Sequence, residues 1–210
     1  METLRIPISA IIFDTGDILV HKIPDEKTTV WNEFLTRFTS ERDCKESLDQ
    51  LYEKVRVLGS NSNSEYVSLN SNLEIKLSLI EEYEIEKWWK NPDPHMVEII
   101  SRLWHIGFKI GILTDSALSS TKIREVLSQI SPYVHQIVSS REIGLMKPHK
   151  QMYEKILSVL DTQSHKALFI AHDPEEINGA LKTGLFCEDF ELIGDLNKLL
   201  DFIQRKYTLA

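Results

Sequence analysis

The sequence predicts an α/β fold in which helices cover a parallel sheet and a helical segment is inserted after the first strand. Short apolar runs of five or six residues occur at residues 8–13, 109–114, 134–138 and 167–171. Runs of this length are typical of strands that are covered on both faces. Helical patterns separate the last three runs, and this alternation indicates a parallel sheet with crossover helices. The long segment between the first two runs lacks such apolar runs, which indicates the insertion.

The composition describes a chain large enough to bury a full apolar core. The chain has 210 residues, of which 42% are hydrophobic and 27% are charged. Its 24 Lys and Arg residues and 32 Asp and Glu residues give a net charge of −8, which repels nucleic acids and anionic membrane surfaces. No apolar stretch approaches the ~20 residues of a membrane span, and the start of the chain lacks a signal peptide's pattern. We expect a cytoplasmic protein with a small-molecule partner and with no nucleic-acid or membrane partner.

The helices of the predicted core have recognisable ends. Asp93 followed by Pro94 is typical of a helix N-terminus, and Gly107 suits the left-handed residue that closes a helix. The apolar residues that follow each start recur at helical spacing. The other three predicted helices begin at Ser119 or Ser120, at the apolar pattern around Tyr153, and at Asp173.

Residues 21–91, called the insertion below, break the alternation of strands and helices. Apolar residues recur there at helical spacing, so we expect helices without strands. The Ser- and Asn-rich stretch at residues 59–64 predicts a mobile loop. We expect the tryptophans of the insertion to pack in its core: Trp31, Trp88 and Trp89. The predicted organisation is an α/β core of residues 1–20 and 92–210 and a helical domain of residues 21–91, with hinges near residues 20–24 and 91–94.

Polar clusters follow three of the predicted strands, where open parallel sheets bind their ligands. The first is Asp14-Thr15-Gly16-Asp17, the second is Thr114-Asp115-Ser116, and the third is His172-Asp173. A fourth cluster lies in a loop before a helix and supplies the cation Lys147. Because the carboxyl ends of parallel strands share one edge of the sheet, we expect these side chains to meet there.

The clusters lie in segments that together resemble the four motifs of the haloacid dehalogenase superfamily. In the order of the family's motifs, the segments are residues 13–19, 112–116, 144–148 with Tyr153, and 169–184. Asp14 falls at the position of the family's nucleophile. The resemblance covers about residues 8–195 and implies a Rossmann-like core. It also implies that the insertion is the family's mobile cap.

The resemblance implies a capped phosphatase that acts on a small phosphorylated metabolite through an aspartyl-phosphate on Asp14. In this scheme Thr114 donates a hydrogen bond to the phosphate and Lys147 balances its charge. The implied catalytic residues are Asp14, Thr114, Lys147 and Asp17. The implied substrate-binding residues are Thr15, Gly16, Asp115, Ser116 and His172. The implied Mg²⁺ ligands are the carboxylates of Asp14 and Asp173 and the backbone carbonyl of Gly16.

Two positions depart from the family's pattern. Gly16 stands where the phosphatases usually have a second aspartate that acts as general acid and base, and Asp17 follows one position later. The loss of a general acid typically costs ~10²–10⁴-fold in rate. His172 stands where an acidic residue is expected, and Mg²⁺ prefers hard oxygen ligands. We therefore expect a weak or specialised phosphatase that binds Mg²⁺ weakly.

Other interpretations of the same residues stay open. Asp173 and Glu176 have the spacing of a capping box at a helix start, and capping is the interpretation we favour for both. Superfamily members that displace halide from 2-haloacids without a metal also lack the second aspartate of the first motif. The alternatives to a phosphatase are therefore a metal-independent 2-haloacid dehalogenase and a non-catalytic protein that keeps the fold to bind a ligand.

Overall fold

The computed structural model describes residues 5–16, 18–21, 29–37, 40–59, 65–70, 73–89, 92–193 and 196–210. Its strands are β1 (Ile6–Ile8), β2 (Ala10–Phe13), β3 (Tyr66–Asn70), β4 (Leu73–Lys76), β5 (Lys109–Thr114), β6 (Gln136–Ser139), β7 (Ala167–Ala171), β8 (Phe186–Asp189) and β9 (Tyr207–Leu209). Its helices are α1 (Thr29–Leu35), α2 (Glu41–Arg56), α3 (Leu77–Glu84), α4 (Pro94–Ile106), α5 (Ser120–Val126), α6 (Ser140–Ile143), α7 (Lys150–Val159), α8 (Pro174–Lys182), α9 (Phe190–Ile193) and α10 (Leu196–Lys206). A π-helical turn, Ile85–Trp89, continues α3.

A parallel sheet of five strands forms the centre of the fold, in the order β6-β5-β2-β7-β8. Side chains of β2 alternate between the two faces, so Ile11 and Phe13 pack with α4, α5 and α10, whereas Ala10 and Ile12 pack with α7 and α8. This double burial explains why the strand is a continuous apolar run. The register pairs Phe13 with Ile112 of β5 and with Ile170 of β7, so these strands end together.

The predicted α/β class with a parallel sheet is confirmed, and the strands differ from the prediction in detail. Two of the apolar runs form β5 and β7 with the predicted bounds. The third strand, β6, begins two residues later than predicted, because a 3₁₀ turn at Ser131–Tyr133 precedes it. The first run is interrupted at Ser9: β1 pairs with β9 in a separate two-stranded sheet, and β2 joins the central sheet. The edge strand β8 is only half-buried, so it has no apolar run to announce it.

Capping bonds confirm two of the predicted helix starts, those of α4 and α5. The Asp93 side chain accepts a hydrogen bond of 2.8 Å from the His95 amide, and Gly107 closes α4 with a φ of 110°. Ser119, rather than Ser120, caps α5 by accepting from the Lys122 amide. Among the described residues, no helix is both long enough and apolar enough to cross a membrane.

The prediction that the insertion contains helices without strands is wrong, because β3 and β4 form an antiparallel hairpin there. In this hairpin Val67 and Ile75 are buried, whereas Ser68 and Glu74 are exposed, which is the two-residue period of a half-buried strand. The hairpin stays apart from the central sheet. It packs with α1, α2 and α3 around an apolar cluster of the insertion, to which the core adds Ala117 and which includes Phe34, Leu51, Ile80 and Tyr83. The predicted loop lies, apart from Gly59, outside the described residues.

Candidate active site

The centre of the site is a buried cluster of charges at the carboxyl edge of the sheet. Asp14 directly follows β2, and its carboxylate accepts a hydrogen bond from the ammonium of Lys147. Lys147 is also buried, and it donates a second hydrogen bond of 2.8 Å to Glu176 Oε2. Burial alone would lower the pKa of Lys147, but Asp14, Glu176 and Asp115 raise it. The lysine therefore remains a cation that holds the Asp14 carboxylate in place.

Hydroxyl groups and a second aspartate lie beside this charge cluster. The side-chain hydroxyls of Thr15 and Thr114 share a buried hydrogen bond of 2.7 Å, although the residues are 99 positions apart in the chain. Asp115 accepts a hydrogen bond of 3.1 Å from the Lys147 amide. Burial raises the pKa of Asp115, and the charges of Lys147 and Arg56 oppose that rise. The structure thus brings together five predicted residues from the first three motifs: Asp14, Thr15, Thr114, Asp115 and Lys147.

Ser116 is turned away from the cluster, contrary to its predicted substrate-binding position. It is fully buried, and its hydroxyl donates to Glu84 of the insertion while accepting from the Leu118 amide. Its own amide donates to the hydroxyl of Ser140. Ser116 therefore joins the core to the insertion and does not line the cavity described below.

Of the two residues predicted to form a capping box after β7, Asp173 takes the capping position and Glu176 does not. Asp173 caps α8 by accepting from the Glu175 and Glu176 amides at 2.7 and 3.2 Å. Glu176 does not complete the predicted capping box, because its carboxylate accepts from Lys147 instead. Burial raises the pKa of Glu176 to about 7, and Lys147 opposes part of that rise.

His172 lies next to the place that Gly16 leaves open. Its Nδ1 atom is 3.7 Å from Asp14 Oδ2, which is too long for a hydrogen bond, and this buried atom has no hydrogen-bond partner. A Cβ atom added to Gly16 would lie 3.4 Å from His172 Cε1 and 3.9 Å from Asp14 Oδ2. The space at Gly16 can therefore hold a small side chain. The remaining predicted residue, Asp17, lies outside the described residues.

A cavity of about 190 Å³ connects these groups to the insertion. The core lines it with Asp14, Thr15, Gly16, Val20, Thr114, Asp115, Lys147, His172 and Glu176. The insertion lines it with Tyr52, Arg56, Glu84, Trp88 and Trp89. Trp88 and Trp89 therefore face the cavity as well as packing against the core, which differs from the expectation that they pack within the insertion. Trp31 packs in the insertion's own cluster, as predicted.

Glu84 fixes the insertion to the loop that follows β5. This fully buried carboxylate accepts hydrogen bonds from the Ser116 hydroxyl, from the Ala117 amide at 2.6 Å and from Trp89 Nε1 at 3.1 Å. Burial raises the pKa of Glu84, and these hydrogen bonds oppose the rise. One helical turn earlier, Glu81 pairs with Arg141 of α6. The wall of the cavity is therefore held by polar contacts between the core and the insertion.

Sequence comparison agrees with the geometry of the site. The profile of the haloacid dehalogenase-like hydrolases matches residues 11–187. The chain belongs to this family. The proposed resemblance is thereby confirmed.

The relatives of this haloacid dehalogenase-like hydrolase include phosphatases. Pyrophosphatase PpaX of Bacillus thuringiensis is 26% identical over 106 residues, which span 50% of this chain and 44% of PpaX. A HAD phosphatase from Thermococcus onnurineus superposes with a TM-score of 0.67 at 16% identity, over 96% of this chain and all of that one. A HAD family enzyme from Bacteroides thetaiotaomicron, solved with magnesium and inorganic phosphate, gives a TM-score of 0.62 at 11% identity, over 87% of this chain and 93% of that one. At these identities the structural likeness supports the fold.

The donor set of this haloacid dehalogenase-like hydrolase fits Mg²⁺ only in part. Asp14 offers a carboxylate and Gly16 a backbone carbonyl, both of which are oxygen ligands of the kind Mg²⁺ prefers. Asp173 is occupied with capping α8, and Glu176 with Lys147. Among the described residues, no group of three or more His, Cys, Asp or Glu side chains is arranged to hold a metal ion. The described part of the chain therefore supplies Mg²⁺ with an incomplete set of ligands.

Sequence reasoning did not find the wall that the insertion contributes in this haloacid dehalogenase-like hydrolase. Tyr52, Arg56 and Glu84 carry no motif, and only contacts between distant segments bring them to Asp14. A weak signal existed for Tyr52, which belongs to the apolar face of α2 but carries a hydroxyl. Glu84 is the one charged residue among the buried residues of α3, and its burial is visible only in the structure.

Proposed function

We propose that this hydrolase cleaves a small phosphorylated metabolite through a covalent aspartyl-phosphate on Asp14. The observation that carries the proposal is the buried Asp14–Lys147 pair at the carboxyl edge of the sheet, facing a cavity beside the Thr15 and Thr114 hydroxyls. The carboxylate lines the cavity, where a ligand can reach it, and the paired ammonium holds it in position.

The proposed reaction has two steps. In the first, an Asp14 carboxylate oxygen attacks phosphorus, a new O–P bond forms, and the bond from phosphorus to the leaving oxygen breaks. Lys147 balances the added negative charge, and the threonine hydroxyls donate hydrogen bonds to phosphoryl oxygens. In the second step, water attacks the same phosphorus and releases phosphate and the free carboxylate. Gly16 offers no acid to the leaving oxygen, so esters with good leaving groups react fastest.

Mg²⁺ has a restricted place in this proposal. When bound, the ion would neutralise charge on the phosphate, and Asp14 and the Gly16 carbonyl would hold it. Because Asp173 and Glu176 are occupied by other partners, we propose that Mg²⁺ binds weakly until a phosphate adds its own oxygens.

Residues 21–91 are proposed to be the cap that selects the substrate, and residues 1–20 and 92–210 the catalytic domain. Support comes from the separate apolar cluster of the insertion and from its share of the cavity wall. A volume of about 190 Å³ lies below the ~300–1,000 Å³ of sites for drug-sized ligands, which favours a small substrate. A cytoplasmic location fits such a metabolite and remains part of the proposal.

A second candidate is metal-independent displacement at carbon. Two observations favour it: Gly16 lacks the side chain of a general acid, and His172 stands where the family's metal site has an acidic ligand. Among the described residues, no cluster of acidic, His or Cys side chains is arranged to hold a metal ion. Here the Asp14 carboxylate would attack the halogen-bearing carbon of a 2-haloacid and expel halide. Water would then hydrolyse the resulting ester and release a 2-hydroxyacid.

A single activity screen distinguishes these candidates. Wild type and Asp14→Asn are assayed on phosphate monoesters, on inorganic pyrophosphate and on 2-chloropropionate, each with Mg²⁺ and with EDTA. We expect phosphate release by wild type and none by Asp14→Asn. The matched control is Asp201→Asn, which changes an exposed residue of α10 that does not line the cavity. Halide release without metal would favour the second candidate. Undiminished phosphate release by Asp14→Asn would overturn the assignment of the nucleophile.

A further inference from the structure

Arg56 brings a guanidinium group from the insertion into the wall of the Asp14 cavity. It is the last residue of α2, its side chain is 21% exposed, and its Cζ atom lies 5.3 Å from the centre of the Tyr52 ring. Its Nη1 atom donates to Glu53 at 2.6 Å, whereas its Nε atom is buried and has no hydrogen-bond partner. A buried donor without a hydrogen-bond partner destabilises the folded state. A ligand that accepts from Nε would remove that cost.

The charges around the cavity indicate the kind of ligand. The ammonium of Lys147 is paired with the carboxylates of Asp14 and Glu176, so these two carboxylates already balance its charge. Asp115 and Glu84 add further carboxyl groups to the wall. An anionic group placed on the insertion's side of the cavity would be repelled by these carboxylates, except near a cation. Arg56 supplies that cation, and its planar fork matches carboxylates and phosphates better than an ammonium does.

We propose that Arg56 binds a second anionic group, a carboxylate or a phosphate, on the leaving part of the substrate. The substrate would then be a small doubly anionic compound, such as a phosphorylated hydroxyacid or a diphosphate. This inference rests on the proposed phosphatase activity, because that activity places the first anionic group of the substrate, the phosphoryl group, beside Asp14 and Lys147. Tyr52 is the positioning residue, since its ring supports the guanidinium from one face.

Three probes separate the contributions of the second anion. Glycerol 3-phosphate has one anionic group, 3-phosphoglycerate adds a carboxylate, and inorganic pyrophosphate adds a phosphate. We expect Arg56→Gln to lower kcat/KM about 10- to 100-fold on whichever doubly anionic probe is a substrate, mainly through KM. The change on glycerol 3-phosphate should stay within about threefold, since that probe lacks the second anion. Arg56→Lys keeps the charge without the fork and should give an intermediate loss.

Arg42→Gln is the matched control, because Arg42 lies on the same helix and its side chain is 86% exposed. It should leave all three rates unchanged, and thermal unfolding of each variant reports whether the fold is kept. Binding is measured separately by calorimetry in an Asp14→Asn background, with and without Arg56→Gln. If wild type hydrolyses none of the probes, the phosphatase proposal fails in this screen, while the calorimetry still decides the role of Arg56. Equal losses on all three probes, or no loss of binding for either doubly anionic probe, would overturn the inference.

Discussion

Placing a carboxyl group at Gly16 tests the expectation that the lack of a general acid at this position limits the proposed activity. The structure has room for the change: a Cβ atom at this position would lie 3.4 Å from His172 Cε1 and 3.9 Å from Asp14 Oδ2. These distances are ordinary van der Waals contacts, and Gly16 is not among the glycines with a positive φ. Gly16→Asp should therefore fold, with its carboxyl group beside the nucleophile. The neighbouring Asp14 charge favours the protonated form of the new carboxyl group, which is the form that a general acid needs.

The expected gain follows from the missing proton transfer. A positioned general acid contributes ~10²–10⁴-fold, which corresponds to about 2.7–5.4 kcal/mol at about 1.36 kcal/mol for each factor of ten. The gain should reach this range only for esters whose leaving oxygen must be protonated, such as glycerol 3-phosphate. For p-nitrophenyl phosphate, whose leaving group departs readily as an anion, we expect less than about tenfold.

The assay compares kcat/KM of wild type, Gly16→Asp and Gly16→Ala on both esters. Gly16→Ala adds the Cβ atom without the acid, so it measures the steric effect alone. A selective gain on glycerol 3-phosphate in Gly16→Asp supports the reasoning. If folded Gly16→Asp and Gly16→Ala have the same ratio of rates on the two esters, the absence of an acid at Gly16 is not what limits the reaction.

Three further predictions concern the polar contacts and the metal. Glu84→Gln should lower the free energy of unfolding by about 1–3 kcal/mol, because the new NH₂ group would face one of the N–H or O–H donors that now bond to the carboxylate. Chemical denaturation measures this change, with Glu82→Gln, at an exposed residue of the same helix, as the control. Titration calorimetry on the protein without phosphate should detect no micromolar Mg²⁺ site; a micromolar site that Asp173→Ala removes would contradict the capping role of Asp173. Burial raises the pKa of Glu176 from 4.5 to about 7 in the folded protein. The protonated Glu176 side chain therefore stabilises the fold fully below pH 4.5, and this stabilisation is lost as the pH rises through 7. The free energy of unfolding should therefore fall between pH 5 and pH 8, by on the order of 1–3 kcal/mol, and a fall that persists in Glu176→Gln would count against this assignment.

The sequence contained enough information to predict the sheet and most of the core's share of the site. Strands buried on both faces must be apolar throughout, so β2, β5 and β7 could be found directly from the chain. Once parallel, their carboxyl ends must share an edge, which places Asp14 near Thr114 before any coordinates exist. Lys147 followed from the motif resemblance, and its contact with Asp14 agrees with that interpretation.

The rest of the site depends on contacts between segments that are distant in the sequence, and local sequence patterns do not encode such contacts. Ser116 lies two residues after Thr114 at the end of β5, yet its hydroxyl donates to Glu84 of the insertion and does not line the cavity. Glu176 has the spacing of a capping box, but the stronger charge of Lys147 attracts its carboxylate. Arg56 belongs to a helix whose orientation toward the core is set by tertiary packing. Such competition between a local bond and a charged partner is decided only in the folded chain.

Covalent trapping of phosphate on Asp14 is the most direct test of the proposed mechanism. Wild type is mixed with p-nitrophenyl phosphate, quenched in acid during steady turnover and treated with borohydride, which reduces an aspartyl-phosphate to homoserine. Mass spectrometry of the peptide that contains Asp14 then reports the modified residue. The account predicts homoserine in place of Asp14 only when the ester is present. Steady phosphate release with no modification, or with modification at a different residue, would contradict it.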